Sequence, residues 1–398
     1  MNLTQAQLSR IENGAAPQEL DKLIHWAKTL GIPSEHLWFK LPCEQRLPTE
    51  DSPGGESRFP ELERRAFLAR GRAVAALPSF RLDDLRHFVA ALDDARRYAD
   101  RDVVRYLHDR LKEFAADDGR RGPKATLPAV LGLLAALERL CSHAKPAVRG
   151  DLLSVGALAA EFSGWLYRDI GALDMAEHWQ DRAIEWAREA ENKPLQAYVM
   201  LRKSQGCWDT RDARGMSVLA HAVQEPGYAL PARLRAEAAQ QEARSWAMLG
   251  EPVAAVERKL DEARALLASD HGQPMGDVEV TGAAYNEATL DLQTAICLTE
   301  AGHPTSAVDV YRKRLDQDGL SYRDRGYFSA LLSVTLASAG EPAEAATVGL
   351  DALRAAEATS SVRTVRELMR VSDRLSPWAA HPQVRAFNTA LRAGARCS

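Results

Sequence analysis

Four times along this chain a glycine is followed five residues later by an alanine: Gly171 and Ala176, Gly250 and Ala255, Gly302 and Ala307, Gly340 and Ala345. In three of the four, proline stands two residues after the glycine, at positions 252, 304 and 342. A stretch of strong helix formers precedes each glycine and another follows it. The spacing predicts a helix that ends on a left-handed glycine, a short turn, and a second helix with proline in its first turn. The alanine then falls where the two antiparallel helices approach most closely and a larger side chain would not fit.

The pattern extends beyond these two positions. Gly164 and Tyr167 lie ahead of Gly171, and Ala243 and Trp246 stand at the same distances ahead of Gly250. Ala183 follows Ala176 by seven residues, as Ala352 follows Ala345. A unit without the glycine fits between Leu195 and Ala222, with Ala213 and Ala220 seven apart. About five units therefore occupy 157–358, irregularly spaced, with the largest insert near 268–282. Trp179 and Trp186 sit seven apart on a second helix and read as core. The unit resembles the tetratricopeptide repeat, whose period is about 34 residues. That resemblance implies an all-α fold, an α-solenoid of helix pairs, with a concave surface lined by the first helix of each pair. Aligning the units on their alanines places Glu161, Trp165 and Arg168 on that surface from the first unit. Tyr198 and Arg202 come from the second unit, Gln240 and Arg244 from the third. Such a mixture of aromatic, basic and amide groups suits a peptide or another ligand gripped by backbone and carboxylate.

The chain divides into residues 1–40, a linker at 41–60, helices of diverged repeats at 61–150, the repeats at 151–358, and terminal capping helices at 359–398 around the Pro377-Trp378 break. The linker holds four prolines and the Gly54-Gly55 pair. In the first segment, Thr4 with Gln7 three residues on is a capping box that starts a helix at Gln5. Leu8 and Ile11 form its apolar face, and Asn13-Gly14 ends it. The string T-Q-A-Q-L-S-R-I-E-N-G, followed by a leucine-rich helix and L-G-I-P, resembles the second half of the lambda-repressor-like helix-turn-helix domain of the xenobiotic-response-element class. That resemblance makes 1–40 a partial DNA-binding domain whose recognition helix begins at Gln5. By position it implies Gln5, Ala6, Gln7, Ser9 and Arg10 on the DNA-facing side and Asn13 at a phosphate. Two helices precede the recognition helix in that fold, and we expect the native protein to carry them upstream of Met1. The strings A-E-F-S-G-W-L-Y, W-x-D-R-A-I-E-W-A, A-Y-V-M-L-R-K-S-Q, Y-R-D-R-G-Y and V-R-T-V-R-E-L are similar to actinobacterial regulators that fuse this DNA-binding class to tetratricopeptide-like repeats.

Other classes lack support in the residues. Five scattered cysteines form no metal-ligand spacing, and no nucleotide-binding glycine motif, zinc-protease motif or nucleophile elbow occurs. The acidic pairs Asp83-Asp84, Asp93-Asp94 and Asp117-Asp118 read as solvated helix faces, because adjacent carboxylates point to different sides of a helix. No apolar run approaches the roughly 20 residues of a membrane span. The net charge of −4 argues against indiscriminate nucleic-acid binding by the whole chain. The expectation is a cytoplasmic transcription regulator, not an enzyme, without cofactor or metal. Its partners are DNA and a peptide, small molecule or protein in the groove, with a possible homodimer and no membrane. The rival is a repeat adaptor that has lost DNA binding, favoured by the five basic and five acidic residues within 1–46.

Overall fold

In a computed structural model the chain separates into two units, Met1–Leu77 and Pro78–Ser398. The structure describes residues 82–228, 230–269, 285–317 and 319–394, all in the second unit. The helix-turn-helix segment with Gln5, Ala6, Gln7, Ser9, Arg10 and Asn13, the linker, and all but the first residues of the 268–282 insert lie outside the described residues.

Every regular element among the described residues is a helix. They are α1 (Leu82–Asp93), α2 (Ala95–Tyr98), α3 (Arg101–Arg121), α4 (Pro123–His143), α5 (Pro146–Asp169), α6 (Leu173–Glu189), α7 (Lys193–Gly206) and α8 (Ala213–Ala222). There follow α9 (Ala232–Leu249), α10 (Val253–Ala268), α11 (Glu287–Glu300), α12 (Pro304–Leu315), α13 (Tyr322–Ala339), α14 (Pro342–Thr359), α15 (Val362–Arg374) and α16 (Pro382–Gly394). The local chemistry accounts for the boundaries. Asp100, Asn192, Asp212, Asn286, Ser321 and Ser361 accept hydrogen bonds from backbone N–H groups of the first turns they precede. Proline occupies the first turn of α4, α5, α7, α12 and α14, where a missing N–H costs nothing.

The four signature glycines all adopt left-handed backbone, with φ of 86° at Gly171, 78° at Gly250, and 84° at Gly302 and Gly340. In the unit without glycine, Arg211 takes up that conformation instead, with φ 59°. Ala176, Ala307 and Ala345 are buried against their partner helices. Ala255 is only half-buried, and Val256 takes the packed position beside it. The turn of that third unit is thus one residue longer than the sequence pattern implies. A further departure concerns α4, whose mean hydropathy of 1.4 over a membrane-length window makes it apolar enough to cross a bilayer. Half of that window is buried, with Leu127, Val130, Leu134 and Leu137 packed in the protein core.

Consecutive helices form antiparallel neighbours, α3 with α4, α5 with α6, and so on to α15 with α16. The first helix of each pair also packs on the first helix of the next, giving an inner row α3, α5, α7, α9, α11, α13, α15. The row returns on itself, because α15 packs against α5. Hydrogen bonds between residues far apart in sequence fasten this closure. Ser361 Oγ donates to Asp169 Oδ1 at 2.6 Å, Trp208 Nε1 to Glu367 Oε1 at 2.6 Å, and Arg323 Nη1 to Asp118 Oδ2 at 2.6 Å.

One glycine shows how tightly the pairs interlock. A Cβ placed on Gly326 in α13 would stand 2.6 Å from the Cβ of Ala355 in α14, and alanine has no rotamer with which to yield. Gly326→Val is therefore expected to cost about 3 kcal/mol through forced separation of the two helices. Equilibrium denaturation in urea measures this, and a loss below about 1 kcal/mol would contradict the close approach.

Candidate functional site

Within the closed row lies a chamber of about 710 Å³. Every inner helix contributes to its wall. From α5 come Glu161, Phe162, Trp165 and Arg168, spaced so that one helical face looks inward. Tyr198, Arg202 and Gln205 repeat that spacing on α7, and Glu237, Gln241 and Arg244 repeat it on α9. Tyr285 stands ahead of α11, which adds Thr289 and Gln293. Arg323, Asp324, Tyr327 and Phe328 come from α13, Arg363 from α15, and Asp118 from α3.

Six of the seven groove residues expected from sequence meet here: Glu161, Trp165, Arg168, Tyr198, Arg202 and Arg244. Gln240 does not. It is fully buried, accepts a hydrogen bond from Gln241 Nε2 at 3.4 Å, and interacts with Cys297 on α11. The inward face of α9 runs through Glu237, Gln241 and Arg244 at the spacing seen on α5 and α7, and Gln240 falls one residue off it. The expectation that Asp117-Asp118 is a solvated face also fails at Asp118. Its carboxylate is buried against Arg323, a partner 205 residues away that no local pattern could supply. Asp83, Asp84, Asp93 and Asp94 are exposed as expected.

Most charges in and behind the wall are paired. Arg168 Nε donates to Asp209 Oδ2 at 2.6 Å, and both side chains are buried. Arg202 holds Glu237 with two hydrogen bonds of 2.9 and 3.3 Å while its guanidinium lies 4.8 Å from the Tyr198 ring. Burial pushes the Arg202 pKa down, but the Glu237 carboxylate outweighs it and holds that pKa above the usual arginine value. At Asp118, burial pushes the carboxyl above its ordinary value against the opposing pull of Arg323. Glu300, beneath the wall, accepts from Arg211 and from Arg370. Burial would raise its pKa, yet those two guanidiniums hold it below the usual carboxylate range.

Two guanidiniums differ from the rest. Arg244 is 4% exposed and lies 3.8 Å over the Trp208 ring, with Nε and Nη2 lacking any hydrogen-bond partner among the described residues. Arg363 lies 3.8 Å over Tyr327 and 4.5 Å from Trp165. Its nearest carboxylates, Asp324 and Asp169, are 3.7 and 3.8 Å away, and its Nε and Nη2 also go without a hydrogen bond. Gln241 Oε1, Gln293 Oε1 and the Tyr285 hydroxyl are buried and without a hydrogen-bond partner among the described residues as well. Buried polar groups are normally satisfied, so a cluster of exceptions around one cavity marks a place prepared to receive polar atoms. Among the described residues no group of histidine, cysteine and carboxylate side chains could hold a metal ion.

Two of the sequence strings already singled out supply wall residues that the groove alignment did not reach. Y-R-D-R-G-Y carries Arg323, Asp324 and Tyr327, and V-R-T-V-R-E-L carries Arg363. No family model, curated protein or solved structure matches the chain.

Proposed function

We propose that the chain is a ligand-responsive transcription regulator of the xenobiotic-response-element helix-turn-helix class, working in the cytoplasm. Its helix pairs are of the tetratricopeptide type, and its reading head lies within residues 1–40. The observation that carries the sensing half of this reading is the chamber wall, in which buried guanidinium and amide groups have polar atoms without a hydrogen-bond partner among the described residues. The string T-Q-A-Q-L-S-R-I-E-N-G carries the DNA half, with Gln5, Ala6 and Arg10 reading base edges.

A mechanism follows from the closure. A ligand in the chamber touches helices from the beginning, middle and end of the row. It therefore favours one curvature of the array over another, and the reading heads of a dimer respond through their spacing. Selection of bound fragments from random double-stranded DNA by the full chain tests the regulator reading. Enrichment of one sequence, lost in Arg10→Ala and shifted by cell extract, is the expected result. Absence of any enriched sequence favours the adaptor reading, for which the balanced charge of residues 1–46 speaks.

A further inference from the structure

Among the described residues, unpartnered polar atoms line the chamber on several helices, those of Asp118, Arg202, Arg323 and Arg363 included, and the side formed by α9 and α11 gathers the largest group of them. Four of the side chains involved stand on one wall: Arg244 and Gln241 a turn apart on α9, Gln293 on the neighbouring α11, and Tyr285 just ahead of it. Each is buried or partly buried, and each has at least one polar atom without a hydrogen bond. Their chemistry is complementary. Arg244 Nε and Nη2 and the Tyr285 hydroxyl are donors, suited to an oxyanion; Gln241 Oε1 and Gln293 Oε1 are acceptors, suited to N–H or O–H groups.

Charge narrows the choice of oxyanion. Six basic and four acidic side chains line the chamber, and the buried carboxylates of Asp169 and Asp209 lie directly behind three of its arginines. With those two carboxylates counted the charges balance, so a triphosphate or another polyanion would meet uncompensated repulsion. One negative charge is what Arg244 lacks. Size points the same way, since a half-open cavity of about 710 Å³ accommodates a molecule, or the end of one, of metabolite or drug scale.

We propose that the α9–α11 wall binds a small monocarboxylic acid that also carries N–H or O–H donors, with Arg244 and Tyr285 on the carboxylate and Gln241 and Gln293 on the donors. This rests on the sensing half of the reading above and names the ligand class it requires. Arg363, across the chamber on α15, faces the remainder of the ligand and ties occupancy to the closure. An amino-acid derivative and the C-terminus of a short peptide share this chemistry, and the test separates them.

The first measurement needs no ligand. An arginine kept unpaired for binding lowers the stability of the empty protein, so Arg244→Met, which preserves contact with the Trp208 ring, is expected to raise the melting temperature by about 2 °C or more. A structural arginine gives the opposite result, and an Arg244→Met chain that melts lower or fails to fold overturns the proposal. The second measurement titrates the full chain with N-acetyl amino acids and their primary amides. Tetrapeptides with free and amidated C-termini, and phenyl phosphate, complete the panel. At least one free acid is expected to bind tenfold or more tightly than its amide, and Arg244→Met is expected to abolish that preference. Preference for the acetyl amino acids over the tetrapeptides identifies a free small acid, and the reverse identifies a peptide terminus. A panel in which no acid surpasses its amide, or in which phenyl phosphate surpasses every acid, overturns the carboxylate assignment. Neither measurement involves DNA, so failure of the regulator reading leaves this result standing and separately visible.

Discussion

Replacing Asp169 with alanine is expected to destabilise the protein by about 3–5 kcal/mol, the loss that follows when one partner of a buried charged cluster is removed. Asp169 is the last residue of α5 and is completely buried. Its carboxylate accepts from Ser361 Oγ at 2.6 Å, and Arg323 and Arg363 approach it to 3.5 and 3.8 Å. Four helices thus converge on one side chain: α5 that bears it, α13 and α15 that supply the cations, and α14, which ends beside Ser361. Alanine would leave Arg363 with Asp324 as its remaining carboxylate neighbour, at 3.7 Å, and Ser361 with only its cap partner Thr364. Ser361→Ala removes the hydrogen bond to this carboxylate together with the cap of α15, and should cost about 2–4 kcal/mol. Urea unfolding of the two single variants and the double variant measures their coupling. If Asp169→Ala stays within about 1 kcal/mol of the parent, this carboxylate does not hold the row closed.

Asp169 also marks the limit of what the sequence makes legible. The helix pairs could be read because their determinants are local: glycine for a left-handed turn, proline in a first turn, alanine at a close approach. The inward face of α5 and α7 could be read for the same reason, since residues one and two turns apart share a side. Local pattern failed by one residue at α10, where Val256 rather than Ala255 packs inward, and on α9, where Gln241 rather than Gln240 lines the groove. The closure could not be read at all. Asp118 and Arg323, Asp169 and Ser361, and Trp208 and Glu367 are separated by 205, 192 and 159 residues. No periodicity within a unit encodes how far the array turns per pair. The terminal helix pair illustrates the consequence. A capping helix is expected to show water a polar face, whereas α15 turns Arg363 and Glu367 into the protein interior.

The second large effect is expected at Trp208, which follows α7 and is 2% exposed. Trp208→Ala should cost about 3–5 kcal/mol, as for other fully buried aromatic residues. The ring supports three guanidiniums, with Arg244, Arg211 and Arg370 at 3.8, 4.4 and 5.0 Å from its centre. Two of those, Arg211 and Arg370, share Glu300, so the ring organises a charged layer that links the α7–α8 turn to α11 and α15. Trp208→Phe separates packing from hydrogen bonding. Phenylalanine keeps an aromatic face for the guanidiniums but removes the N–H that Glu367 accepts, at an expected cost of about 1.5–3 kcal/mol. Pairing Trp208→Phe with Glu367→Met then tests the contact itself: the combined loss should fall short of the sum of the two single losses, because both remove one interaction. Amide hydrogen exchange gives the structural readout, since loosening this bond should speed exchange in α15 before it affects α5. Strict additivity, with unchanged exchange in α15, would show that the Trp208–Glu367 bond is incidental and that the row is held closed by the Asp169 cluster alone.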